Sequence, residues 1–151
     1  MQTPRRYAPM GGSFAPVWVA GFTWNRWQTS AVYAYKIRLS GIDAPERGQP
    51  YGTASRDHLA GLVAGKTVTV ETTKTDRYGR QIGKVLVNGV DANLEQVKAG
   101  MAWWYRYYKQ EQPRPDRMAY EAAEDDARED RRGLWADSNP ISPYEWRQGK
   151  R

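Results

Sequence analysis

The sequence predicts a small α+β domain whose strands form a five-stranded Greek-key barrel. Three observations predict it: short period-two runs in the first half, one amphipathic helical stretch set between them, and two helical stretches that close the chain. A length of 151 residues suits one domain around one core. With 40% hydrophobic residues, the chain can bury enough apolar surface to fold.

The elements follow in chain order. Residues 1–14 hold Pro, Gly and Arg and read as a loose tail. Residues 15–34 are rich in Trp, Tyr and Val and read as one or two atypical strands of poor alternation. Tyr35 to Leu39 alternates and reads as a strand, with Ser40 to Glu46 leading out as a loop. Thr53 to Ala64 sets Leu59, Leu62 and Val63 on one face before Gly65, the pattern of a helix with a glycine stop. Lys66 to Glu71 and Gly83 to Val87 read as strands, separated by a turn at Asp76 to Arg80, and Asn88-Gly89 signals a tight hairpin turn. Asp91 is placed to cap a helix carrying Leu94 and Val97 and stopping at Gly100. After the aromatic run 101–108, Pro113 and Pro115 break the chain, and Asp116 caps an Ala-rich charged helix ending near Gly133. Leu134 and Trp135 anchor its end to the core, and residues 138–151 read as an irregular tail beyond a domain spanning 15–137. There is no internal repeat.

Composition narrows the chemistry. The chain has no cysteine, which excludes disulfides and thiolate metal sites, and its single histidine, His58, excludes a multi-histidine zinc site. Any metal must be held mainly by oxygen, which points to a hard cation such as calcium or magnesium. Net charge is +6 and the pI about 9.6, so polyanions are attracted. Residues 1–42 hold five basic residues and no acid, whereas the remainder is nearly balanced at 18 basic against 17 acidic. No apolar run approaches the roughly 20 residues of a membrane-spanning helix. The patch Ala15 to Phe22 reads as a barrel strand rather than the core of a signal peptide, because Gly, Pro and Trp interrupt it.

Two segments concentrate groups suited to a phosphodiester. Its hydrolysis builds negative charge on the phosphoryl oxygens, which calls for fixed positive charge, a positioned water and help for the leaving oxygen. Arginine donates two parallel hydrogen bonds to phosphate and keeps its charge, and a carboxylate can orient or deprotonate water. Ile37-Arg38-Leu39-Ser40-Gly41-Ile42-Asp43-Ala44-Pro45-Glu46 offers one arginine and two carboxylates, and Thr75-Asp76-Arg77-Tyr78-Gly79-Arg80 offers a further arginine on a turn. By spacing alone these could equally be ordinary surface charges.

These two motifs, with Tyr51-Gly52 between them and Asn93-Leu94, Gly100 and Gly133-Leu134-Trp135 after them, resemble the staphylococcal nuclease, or thermonuclease, family in its short bacterial and plasmid-borne branch. The resemblance covers residues 35–146 and implies an OB-fold barrel with three helices that cuts DNA and RNA with calcium and leaves 3′-phosphate ends. It implies that Arg38 and Arg80 are catalytic phosphate-binding arginines, Arg80 also assisting the 5′ oxygen, and that Glu46 acts on the attacking water. By the same resemblance Asp43 is a calcium ligand, Ala44 offers its carbonyl to the metal, and Tyr78 and Tyr108 flank the bound nucleotide. Arg106 stands where the family suggests another tyrosine, and Trp103, Trp104, Tyr105 and Tyr107 are expected in packing roles. His58 is expected on a solvent-facing helix surface, and Glu121 to Asp130 as a solvated face with local pairs such as Glu124 with Arg128.

One departure stands out. The family's Asp-Gly-Asp-Thr type motif, which supplies a calcium ligand ahead of the first arginine, would fall near Gly21-Phe22-Thr23-Trp24-Asn25, and no acidic residue precedes Asp43. Calcium is therefore expected to bind weakly. The expected partners are DNA and RNA, single strands preferred, with no membrane and a monomeric protein. The family makes export plausible. The alternative reading is a catalytically silent OB-type nucleic-acid-binding module. Glu46 favours the enzyme, because binding alone does not require a carboxylate beside phosphate.

Overall fold

The computed structural model describes residues 34–150. The expected tail 1–14, the strands expected in 15–34 and the motif slot at Gly21 to Asn25 lie outside the described residues, as does Arg151.

The described chain is α+β. In order it runs β1 (Ile37–Leu39), β2 (Ile42–Asp43), α1 (Gly52–Val63), β3 (Thr69–Thr75), β4 (Gln81–Val87), β5 (Val90–Asp91), α2 (Ala92–Lys98), β6 (Trp103–Trp104), a 3-10 turn (Arg106–Glu111), α3 (Arg114–Glu129), a second 3-10 turn (Gly133–Ala136) and α4 (Pro143–Arg147). Strand β4 is central. It pairs in parallel with β1, Arg38 opposite Ile82, and antiparallel with β3 and β5. A separate antiparallel pair joins β2 to β6, with Asp43 opposite Trp103. No closed barrel is formed by the described residues.

Local chemistry explains most boundaries. Asn88 and Gly89 both take positive φ, 50° and 79°, as a two-residue hairpin turn requires. Asp91 caps α2 as expected, its carboxylate accepting from the Leu94 N–H at 3.0 Å. Helix α1 buries Leu59 and Val63 and ends before Gly65, whose φ is 69°. The main core gathers Ile37, Leu39 and Ile42 with Leu59, Val63, Val85, Val97, Trp104 and Tyr120.

Asn93, fully buried, ties the central strand to its neighbours. Its amide donates to the carbonyls of Ser40 at 3.0 Å and Gly83 at 3.2 Å, and its carbonyl accepts from the Val85 N–H at 3.2 Å. One side chain thereby links backbone groups of the β1–β2 loop and β4, the Gly83 carbonyl also accepting from the Ser40 N–H at 2.9 Å.

Four expectations are corrected. The N-cap of α3 is Pro113, with Asp116 inside the first turn, where it pairs with Lys84 at 2.6 Å and ties α3 to β4. Glu124 is not on a solvated face. It is fully buried, accepts from the Trp104 N–H at 3.0 Å and pairs with Arg106 and with Arg128. Half-buried His58 does not simply face solvent, because its Nδ1 meets Oε1 of buried Gln96 across the α1–α2 contact. The segment after Ser138 contains a helix, α4, started by a full capping box between Ser142 and Glu145. Gly100 and Gly133 also do more than end helices. A Cβ at Gly100 would run into the Arg132 carbonyl and one at Gly133 into the Gly100 carbonyl, and the Leu134 N–H donates to the Gly100 carbonyl at 2.9 Å.

Candidate active site

The edges of β1, β3 and β4 and the 3-10 turn at 106–111 enclose a cleft of about 590 Å³. Arg38, Arg80, Tyr78 and Tyr108 all line it, so the two arginines and two tyrosines that resemblance singled out share one surface although 70 positions separate the outermost.

Each arginine is positioned differently. Arg38 is the middle residue of β1, flanked by buried Ile37 and Leu39, which turns its side chain to the opposite face of the strand. Its guanidinium lies 5.7 Å from the Tyr105 ring centroid, and it has no carboxylate partner among the described residues. Arg80 closes the turn between β3 and β4 and is held by Asp76, whose Oδ2 accepts from its Nε at 2.6 Å. Burial of Asp76 would raise its pKa, but the Arg80 N–H, the Arg80 side chain and the Tyr78 N–H outweigh it and hold the carboxyl below its ordinary value. Only the Nε of Arg80 is used this way, and among the described residues no hydrogen bond engages its terminal nitrogens.

Aromatic rings frame these cations. Tyr78 is 65% exposed, with the guanidinium of Arg77 4.8 Å and that of Arg80 5.4 Å from its centroid. Tyr108, 45% exposed, has the Lys74 ammonium 5.5 Å from its centroid and packs edge-on against Tyr105 and Tyr107. Tyr105, expected only to pack, belongs to the cleft. Burial, and after it the Asp43 charge, pushes its phenol above the ordinary pKa, while Arg38 and Arg147 act the other way. Trp103 and Trp104 do pack: Trp103 meets Trp135 edge-on at 4.3 Å, and Trp104 donates through Nε1 to Gln112 at 2.9 Å.

The carboxylates form an adjoining group. The backbone from Arg38 to Ile42 walls the cleft and then leads into Asp43, Ala44 and Glu46, which are not among its lining residues. Asp43 is 8% exposed. Its two oxygens accept from Arg147 at 3.2 and 2.9 Å, and Oε1 of Glu46 accepts from the same guanidinium at 2.8 Å. These bonds, that to Asp43 foremost, raise the Arg147 pKa above its ordinary value. Among the described residues no three His, Cys, Asp or Glu side chains gather as a metal cluster. The donors that do meet, the Asp43 and Glu46 carboxylates, are all oxygen and already hold a cationic group, which fits a hard dication by ligand type. Arg147 was invisible to motif reading, since it lies 104 positions from Asp43 in a segment expected to be irregular.

Known proteins resemble this chain in sequence. The family described as staphylococcal nuclease homologue matches residues 36–137. An uncharacterized endonuclease of Escherichia coli O157:H7 is 44% identical over 118 residues, covering 78% of this chain and 73% of its own. A staphylococcal-like nuclease of Arabidopsis thaliana is 42% identical over 135 residues, covering 87% of this chain but 40% of its own length. An uncharacterized endonuclease of Haemophilus influenzae is 41% identical over 113 residues, covering 75% of this chain and 60% of its own.

Proposed function

The chain belongs to the staphylococcal nuclease family, and we propose that it is a calcium-dependent endonuclease that hydrolyses phosphodiester bonds of DNA and RNA, single strands preferred, as a monomer. The observation that carries the reading is the one cleft lined by Arg38, Arg80, Tyr78 and Tyr108.

Arg38 and Arg80 bind the scissile phosphate through paired N–H donors and stabilise the charge that grows on its oxygens. A base unstacked from a single strand can lie against Tyr108 or Tyr78, which a paired base cannot do. Glu46 takes the proton of the attacking water on a carboxylate oxygen. The water oxygen bonds to phosphorus, the bond to the 5′ oxygen breaks, and Arg80 stabilises that departing oxygen, leaving a 3′-phosphate. A calcium ion held by Asp43 and the Ala44 carbonyl, with Glu46 reaching it through water, would supply a fixed double positive charge beside the phosphate. With no acid before Asp43, that ion binds weakly.

The deciding experiment is loss of supercoiled plasmid and of single-stranded DNA in millimolar calcium, against an EDTA control. Cleavage that EDTA abolishes is expected. Tight single-strand binding without cleavage would instead establish a silent binding module.

A further inference from the structure

Helix α4 is a built seat, not a loose end. Pro143 at its start is fully buried, and the Ser142–Glu145 capping box closes its first turn. Gln49, 6% exposed, clamps it to the carboxylate loop: its amide donates to the Ile141 carbonyl at 2.7 Å, and its Oε1 accepts from the Glu46 N–H at 2.9 Å. One buried side chain thus joins the segment that carries Arg147 to the segment that carries Glu46.

The seat delivers one guanidinium to both carboxylates. Arg147 makes three charge-assisted hydrogen bonds, two to Asp43 and one to Glu46. A planar guanidinium supplies its charge and its donors at fixed angles, so it occupies acceptor directions that a metal would need. One positive charge shared between two carboxylates also leaves the pair with less attraction for a dication.

We propose that Arg147 is the resident cation of the Asp43–Glu46 pair, and that a divalent cation binds there only by displacing it, so that α4 gates metal entry. The proposal rests on the nuclease reading of this site. Release of Arg147 also frees Oε1 of Glu46, so metal entry and the readiness of the general base are coupled through one side chain.

The test is calcium chloride titrated by calorimetry, without nucleic acid, into the full-length parent, Arg147→Ala and Arg147→Gln. Both variants are expected to bind calcium at least about tenfold more tightly than the parent. In the parent, calcium should also speed hydrogen exchange at the amides of residues 144–148. Equal affinities, weaker binding in the variants, or no detectable binding by any of the three overturns the proposal. Should either variant fail to melt cooperatively, Arg147→Lys decides: a point charge cannot bridge three oxygens as a fork does, so its affinity must exceed the parent's. Plasmid cleavage by the parent is read alongside. Equal calcium affinities with cleavage intact sink the gate alone, and tighter binding by the variants without parental cleavage sinks the nuclease reading alone.

Discussion

Asp76 grips Arg80 by both backbone and side chain: Oδ1 accepts the N–H groups of Arg80 and Tyr78, each at 2.9 Å, while Oδ2 accepts Arg80 Nε at 2.6 Å. The β3–β4 turn and the guanidinium are therefore held by one carboxylate. Displacing a catalytic group by an ångström can cost about a hundredfold in rate. Asp76→Ala is expected to lower single-turnover cleavage by about ten- to a hundredfold. Asp76→Asn, which keeps an acceptor for the backbone N–H groups, should recover stability more fully than rate. Paired thermal melts and single-turnover rates separate the two effects.

Arg80→Ala and Glu46→Ala should each reduce cleavage by roughly 100- to 1000-fold, the usual cost of losing one transition-state contact. Neither side chain belongs to the hydrophobic core, so circular dichroism and melting should stay close to the parent's. Parental activity in either variant removes that residue from the mechanism.

Glu124→Ala tests the buried carboxylate beneath the aromatic run. Arg106 and Arg128 are 42% and 43% exposed, so water can solvate them once the carboxylate is gone. The lasting penalty is the buried Trp104 N–H, left without its acceptor. That predicts a loss of about 1–3 kcal/mol in urea unfolding. Glu124→Gln keeps an acceptor and should recover much of it.

The α4 capping box should open in acid. Glu145 is held at about 2, below the ordinary 4.5, first by its bond from Lys150 and then by the Ser142 N–H and hydroxyl. Because the folded value is depressed, its contribution to α4 is complete above about 4.5 and is lost as pH falls toward about 2. Hydrogen exchange at residues 144–148, corrected for its intrinsic pH dependence, should rise across that window in the parent, and Glu145→Gln should flatten the response.

Sequence alone determined the features that depend on neighbours along the chain. Asn88-Gly89 reads as a hairpin because few other residues tolerate positive φ twice in succession, and both do adopt it. Asp91 reads as a cap because its carboxylate reaches an N–H only three residues on. Arg38, Asp43, Glu46 and Arg80 were legible as a set because they lie in two compact motifs at a recognisable separation. Tertiary structure alone decided which charges meet. Glu124 shares the helical stripe of Tyr120, Ala123 and Ala127, but its bond to the Trp104 N–H depends on where α3 crosses β6. Nothing beside Tyr105 marks it for the cleft rather than the core. Arg147 meets Asp43 and Glu46 only because Gln49 ties the α4 segment to the carboxylate loop. Local backbone preference sets elements over a few residues, whereas the partner of a long charged side chain is chosen by packing after distant segments have closed on one another.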